Sequence, residues 1–304
     1  MKVAILDARL GGGRDVANSY MVAYRNLSVL KALLNADLFI NPADIRFDKD
    51  YDVIICGFGS TSCEKELSTK FLIQNKNARL FWLIGDYEQS TFAPLFYSKR
   101  KFEVICTFGD YKIKNKMLTD QHVININALL TIRPNKPIEK KYDCIYYGRW
   151  RPDRLDYFKQ YLDSRIHLST ASKNMKMFHH NGCNPKMINP LSWLPKRETL
   201  NLYRSSLYIE DKFSHKFYTC LGNRFYEALW CNSVPLIDRS CVSTMEKSGY
   251  ENYEWHIVNN MSDVMKKCDE IKAGDTGVLS QWQEEAIIES IKVKDRIRRL
   301  VHGK

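Results

Sequence analysis

Short apolar runs and longer amphipathic stretches alternate along the first half of this chain. Lys2–Leu6, Tyr51–Cys56, Leu80–Ile84 and Val104–Phe108 are short runs, too brief for helices. The glycines 11–13 end the first, Gly85-Asp86 the third and Gly109-Asp110 the fourth. From Val16 to Leu34 the apolar residues recur at helical spacing. Strands closed by turns at their C-terminal ends and separated by helices predict a doubly wound parallel sheet.

The polar, proline-containing stretch TIRPNKPIEKK (131–141) interrupts this rhythm and reads as a linker. Beyond it the pattern restarts with a strand over Asp143–Tyr147, a helix from Pro152 and a strand near Ile166–Leu168. A loop rich in Asn, Pro and Gly is expected up to Pro195, and it would contain His179 and His180. A short helix follows, then the strand Leu207–Glu210, the helix Leu221–Trp230 and the strand Val234–Ile237. From about Leu279 to Val301 the pattern predicts a long amphipathic helix, with Ile287, Ile288, Ile291, Ile297 and Val301 on its apolar stripe. The expected division is a first Rossmann-like domain over 1–135, a second over 136–275, and a C-terminal helix over 276–304 that returns to the first. Two such domains would face one another across a cleft, where ligands of open α/β sheets bind.

Composition narrows the class. At 304 residues, 44% hydrophobic and 27% charged, the chain has the make-up of a soluble globular protein, with material for two domains or one large α/β unit. A formal net charge of +11 points to a polyanionic partner or a phosphorylated ligand. Nine scattered cysteines, with no C-x-x-C pair, argue for free thiols in a reducing compartment, hence a cytoplasmic protein. The N-terminal MKVAIL reads as a buried strand, and no apolar stretch approaches the roughly 20 residues of a membrane span.

Candidate chemistry concentrates in two stretches. In CIYYGRWRPDRLDYF (144–158) an apolar run ends at Gly148, and Arg149, Arg151 and Arg154 crowd the turn before and into a helix that starts at Pro152. A helix N-terminus attracts anions, proline suits its first position, and arginine forks match phosphate oxygens. The turn is therefore a candidate diphosphate cradle; the alternative is a solvated loop paired with Asp153 or Asp156. In YTCLGNRFYEALWCNSVPLID (218–238), Leu221, Phe225 and Leu229 form a buried stripe, and Arg224 and Glu227 lie three apart beside it. They read either as an intrahelical ion pair or as a phosphate-binding arginine and a ribose-binding carboxylate.

These two stretches, in this order, resemble the donor half of the GT-B class of nucleotide-sugar glycosyltransferases. More narrowly, the chain resembles the bacteriophage DNA β-glucosyltransferase family, which glucosylates 5-hydroxymethylcytosine in duplex DNA. MKVAIL, DYDVIIC (50–56), LFWLIGD (80–86), YDCIYYGRWR, LYIEDK (207–212) and NRFYEALWCNSVPLID follow the family's order along the whole chain. The resemblance implies an inverting transferase that takes UDP-sugar as donor, with Asp86 at the position of the general base. It places Arg151 and Arg224 on the diphosphate, Glu227 on the uridine ribose, and Asp211, followed by Lys212, near the sugar. Leu155 stands where the family has a further arginine, which leaves Arg154 or Arg149 to substitute. The donor-binding set is thus Gly148, Arg149, Arg151, Arg154, Asp211, Lys212, Arg224 and Glu227.

Asp86 at a strand end is otherwise a turn or helix-cap aspartate. Gly11, Gly12 and Gly13 would let backbone pass close to a ligand in the cleft. Lys99, Arg100, Lys101, Lys112 and Lys114 are candidate contacts to DNA phosphates, or ordinary solvated positions. The expected partners are double-stranded DNA carrying a hydroxylated pyrimidine and a UDP-sugar, acting on a monomer without a membrane. A divalent cation, magnesium or manganese, would assist UDP release; no Cys/His cluster stands at the spacing of zinc ligands. The sugar is glucose or a pentose such as arabinose. The rival readings are a fucosyltransferase-like enzyme acting on a glycan or lipid, and a non-catalytic basic DNA-binding protein.

Overall fold

A computed structural model describes residues 1–7, 21–57, 65–84, 100–107, 109, 118–129, 138–188, 191, 199–210 and 218–303. The chain divides into two compact units, the first made of Met1–Thr131 with Glu289–Lys304, the second of Ile132–Ile288.

The first unit is built on a six-stranded parallel sheet in the order β2-β1-β3-β4-β5-β6. Its strands are β1 (Val3–Leu6), β2 (Asp37–Phe39), β3 (Val53–Cys56), β4 (Arg79–Ile84), β5 (Phe102–Cys106) and β6 (Leu118–Val123). Helices α1 (Met21–Leu34) and α2 (Lys65–Gln74) connect strands of this sheet. All of β1 and β3 are buried, because a parallel sheet covered on both faces has no polar side. The apolar runs marked these strands well. The sequence pattern missed β2 and β6, which lie at the two edges, where little of a strand is buried.

The second unit carries another six-stranded parallel sheet, in the order β12-β11-β10-β7-β8-β9. Its strands are β7 (Tyr142–Tyr147), β8 (His167–Ser169), β9 (Lys186–Ile188), β10 (Tyr203–Tyr208), β11 (Val234–Asp238) and β12 (Ile257–Val258). Counted from β7, the strands run 3-2-1-4-5-6, the order of dinucleotide-binding sheets, with the reversal between β7 and β10. Helices α3 (Leu155–Tyr161), α4 (Ser172–His180), α5 (Asn223–Trp230), α6 (Val242–Ser248) and α7 (Met261–Lys272) belong to this unit. α4 corrects the loop expected around His179 and His180. Both histidines stand in the last turn of a helix, where a partial negative charge suits them.

The closing helix α8 (Leu279–His302) starts in the second unit and ends in the first. Its buried positions are Leu279, Trp282, Gln283, Ala286, Ser290, Val293, Ile297 and Val301. Ile288 and Ile291, expected on the buried stripe, are 51% and 61% exposed. The packed face follows the small residues Ala286 and Ser290, which hydropathy alone does not single out. Arg79 anchors the far end of α8, donating from Nη1 to the Leu300 carbonyl at 2.8 Å and from Nη2 to Glu103 at 2.7 Å. In the second unit Gln283 donates to the Leu229 carbonyl at 2.8 Å.

Candidate functional site

In the second unit the strand order reverses between β7 and β10, and in open α/β sheets such a reversal is where ligands bind, outside the C-terminal ends of the strands. β7 leads into the arginine turn. Pro152–Arg154 is a 3-10 turn that runs into α3, with proline at its first position as the sequence suggested. Trp150 fixes the turn by packing on Phe158 at 5.5 Å and on Phe178 at 5.1 Å, ring centre to ring centre. Phe158 and Phe178 also touch, at 5.0 Å, so α3 and α4 share one aromatic anchor beneath the turn.

The three arginines part company. Arg149 is exposed, and Arg151 is half-buried and paired with Asp153 at 3.2 Å. Arg154 turns inward and is only 7% exposed. Its Nη2 meets Glu210 Oε2 at 3.0 Å, just beyond the end of β10. Arg224, in the first turn of α5, reaches the other oxygen of that carboxylate, Nη2 to Oε1 at 2.9 Å. Its Nη2 also donates to the Ile209 carbonyl at 3.1 Å, and its Nη1 to the Tyr146 hydroxyl at 3.1 Å and the Tyr147 carbonyl at 3.3 Å. Burial alone would lower the Arg224 pKa, but Glu210 and the tyrosine oxygens outweigh it and hold the pKa well above the ordinary value. Sequence reasoning had not singled out Glu210. It gives no periodic signal, and its partners lie in other elements.

Two glycines make this packing possible. A Cβ on Gly148 would stand 3.2 Å from Arg224 Nη1 and from the Tyr146 hydroxyl. A Cβ on Gly222 would stand 2.9 Å from Glu210 Oε1. Gly222 is the N-cap of α5, with no side-chain cap, and donates its N–H to the Tyr208 hydroxyl at 2.7 Å. The Glu210 carboxylate therefore lies beside a helix N-terminus and between two guanidinium groups, which is the environment of a bound anion.

Glu227 is buried one turn into α5 and accepts a hydrogen bond from the Tyr147 hydroxyl at 2.7 Å. Burial, then the Glu227 charge, push the Tyr147 pKa well up, so the hydroxyl stays protonated and donates. Arg224 and Glu227 thus face different partners, Glu210 and Tyr147, not each other.

Of the other residues singled out from sequence, Asp86, Asp211, Lys212, Gly11, Gly12, Gly13, Lys99, Lys112 and Lys114 lie outside the described residues. Lys101 is exposed. Arg100 donates from its two Nη atoms to the backbone carbonyls of Leu72 (3.2 Å), Asn75 (2.8 Å) and Ala78, and so secures the end of α2. Among the described residues, no group of three or more His, Cys, Asp or Glu could hold a metal ion, and no helix is long and apolar enough to cross a membrane.

No protein-family model matches the chain. Curated proteins give no match either. Solved structures do. T4 phage β-glucosyltransferase is similar over 100% of this chain and 97% of its own, with a TM-score of 0.65 and 16% identity. AviGT4, a glycosyltransferase involved in avilamycin A biosynthesis, covers 100% and 99% with a TM-score of 0.54 at 12% identity. Anabaena HepE in complex with UDP-glucose covers 100% of both chains, again with a TM-score of 0.54 at 12% identity. Two parallel six-stranded sheets, each flanked by helices, and these likenesses along the entire chain give the protein the α/β fold of the GT-B glycosyltransferases.

Proposed function

We propose that the protein is an inverting glycosyltransferase that moves a sugar, glucose or a pentose such as arabinose, from a UDP-sugar to a hydroxylated pyrimidine of the 5-hydroxymethylcytosine type in duplex DNA. The observation that carries the reading is the anion seat at the strand reversal of the second unit, where Arg154 and Arg224 converge beside the N-terminus of α5. A nucleoside diphosphate is the ligand whose charge and size suit such a place in a sheet of this order. The similar T4 phage structure is described as a DNA-modifying enzyme whose substrate is uridine diphosphoglucose, and the same phage enzyme has been seen with UDP and Mn2+. A net charge of +11 fits a duplex as the second substrate.

In this reading residues 136–275 bind the donor and residues 1–135 the acceptor. Arg151 and Arg224, with Arg149 or Arg154, take up charge that develops on the departing diphosphate, and Glu227 accepts hydrogen bonds from the ribose hydroxyls. Asp86 takes the proton of the acceptor hydroxyl as that oxygen attacks the anomeric carbon. An acceptor base inside a duplex has to be flipped out of the stack to reach such a site. Lys99, Lys101, Lys112 and Lys114 then hold phosphates of the flanking strand. The protein acts as a monomer in the cytoplasm, that of the host cell if the chain is phage-encoded.

Mass spectrometry of nucleosides from hydroxymethylated duplex DNA, incubated with the protein and a panel of UDP-sugars, tests the proposal. The expected result is a hexose or pentose mass added to the hydroxymethylated nucleoside with one of the donors. Unchanged nucleosides with every donor, under conditions where UDP binds, would contradict DNA as the acceptor.

A further inference from the structure

Glu210 fills a place that usually belongs to a ligand. Its two oxygens are taken one each by Arg154 and Arg224, at 3.0 and 2.9 Å, and the whole carboxylate lies beside the glycine that caps α5. Every Nη contact of Arg224 is internal: the Tyr146 hydroxyl and the Tyr147 carbonyl on one nitrogen, the Ile209 carbonyl and Glu210 on the other. Three of those four partners are neutral. Only Glu210 carries a charge that an incoming anion would have to share or replace.

We propose that Glu210 is a built-in stand-in for phosphate, seated between Arg154 and Arg224 in the free protein and displaced from them when the donor diphosphate enters. The inference rests on the donor-site reading above and adds a regulatory part to it. Two guanidinium groups that converge without an anion repel each other and lose hydration without recompense. Glu210 keeps them assembled, leaving the trio one net positive charge. A diphosphate brings more negative charge and more acceptor oxygens than one carboxylate, so it wins both arginines once bound. After transfer, Glu210 competes for the same donors and favours departure of UDP. Glu210 is accordingly a positioning residue that lowers nucleotide affinity in exchange for an ordered empty site.

The test is calorimetric titration of wild-type protein and Glu210→Gln with UDP, inorganic pyrophosphate and uridine. Gln keeps the size of the side chain and removes its charge. The expected result is UDP and pyrophosphate binding about tenfold tighter in Glu210→Gln, equivalent to about 1.4 kcal/mol, with uridine affinity unchanged. A residue that only held the site together would give the reverse, weaker binding on substitution. Folded Glu210→Gln that binds UDP equally or more weakly than wild type overturns the stand-in role while leaving the donor site in place. Wild-type protein that binds neither UDP nor pyrophosphate overturns both. Where Glu210→Gln does not fold, Glu210→Asp decides: its carboxylate is one methylene too short to span both arginines, so tighter pyrophosphate binding supports the proposal and unchanged or weaker binding rejects it.

Discussion

Both units wind six parallel strands around a reversal in strand order, between β1 and β3 in the first and between β7 and β10 in the second. The side chains at the two reversals differ in kind. In the first unit Asp7 is buried after β1, its backbone N–H bound to the Phe39 carbonyl at 2.9 Å, and Gly57 after β3 comes so close that a Cβ there would stand 2.6 Å from the Asp7 side chain. In the second unit the same topological place holds two arginines, a shared glutamate and two tyrosines. The difference teaches a division of labour. The second unit writes its candidate chemistry into strand ends and the first turn of a helix, with a counter-charge of its own. The sequence candidates of the first unit, Asp86, Gly11–Gly13 and the lysines at 99, 112 and 114, lie outside the described residues, so the contrast rests on Asp7 and Gly57.

Four changes would break or sharpen this division. The largest effect is expected at Asp86. Asp86→Asn should lower single-turnover sugar transfer by about 10²–10⁴ while melting temperature and UDP affinity stay as in wild type. Turnover close to wild type would make Asp86 a turn or cap residue, since Asn caps helices about as well. Arg224→Met should do the opposite kind of damage. It leaves Glu210 with one arginine and strips the Tyr147 and Ile209 carbonyls of a donor, so unfolding free energy in denaturant should fall by about 3–5 kcal/mol. A loss below about 1 kcal/mol would mean the cluster does not hold this sheet edge together.

Acid should weaken the second unit through His256. Its ring is buried, with Nδ1 donating to the Pro235 carbonyl at 2.9 Å and Nε2 accepting from the Val278 N–H at 3.1 Å, so the neutral form is the one that fits. Burial drives its pKa down to about 4 against the opposing hydrogen bond to Pro235, with Lys267 pushing the same way as burial and Asp275 opposing it. The folded state therefore binds this proton later than the unfolded chain, whose histidine titrates near 6.5. Stability from this residue is complete above pH 6.5, falls as pH drops from there to about 4, and then levels, a total of about 3 kcal/mol. Denaturant melts across that range, compared with His256→Gln, check the slope; parallel curves for the two proteins would remove His256 as its source. The smallest effect is expected at Arg151, which lies on the surface of the turn. Arg151→Ala should weaken UDP binding by about 1.5–3 kcal/mol in calorimetry with no loss of stability, because it removes a charge-assisted contact and leaves the core intact.

Much of the fold was legible because parallel strands covered on both faces announce themselves as apolar runs. β1, β3, β4, β5, β7 and β11 were all visible in that way. The edge strands were not: β6 reads LTDQHV and buries none of its residues fully, so neither hydropathy nor alternation marks it. α4, SKNMKMFHH, hid in a stretch whose Asn, Pro and Gly content up to Pro195 suggests a loop, although Phe178 anchors it in the core. At the candidate site, the arginine turn and the spacing of Arg224 and Glu227 could be read locally. Glu210 could not, since its role depends on Arg154 and Arg224 arriving from two other elements. The same holds for Tyr146 and Tyr147, which look like ordinary strand residues until their hydroxyls meet Arg224 and Glu227. Arg100 likewise looks like part of a plain basic run in the sequence, and only tertiary packing shows its Nη atoms on three backbone carbonyls.

Hydrogen–deuterium exchange of the wild-type protein with and without UDP tests the central claim most directly, because it locates the nucleotide without any substitution. The account predicts that saturating UDP slows exchange in the segments 144–158, 203–210 and 218–230, which bring Arg151, Arg154, Glu210, Arg224 and Glu227 to the strand reversal of the second unit. Protection confined to residues 1–131, or no change anywhere while calorimetry shows UDP bound, would contradict it.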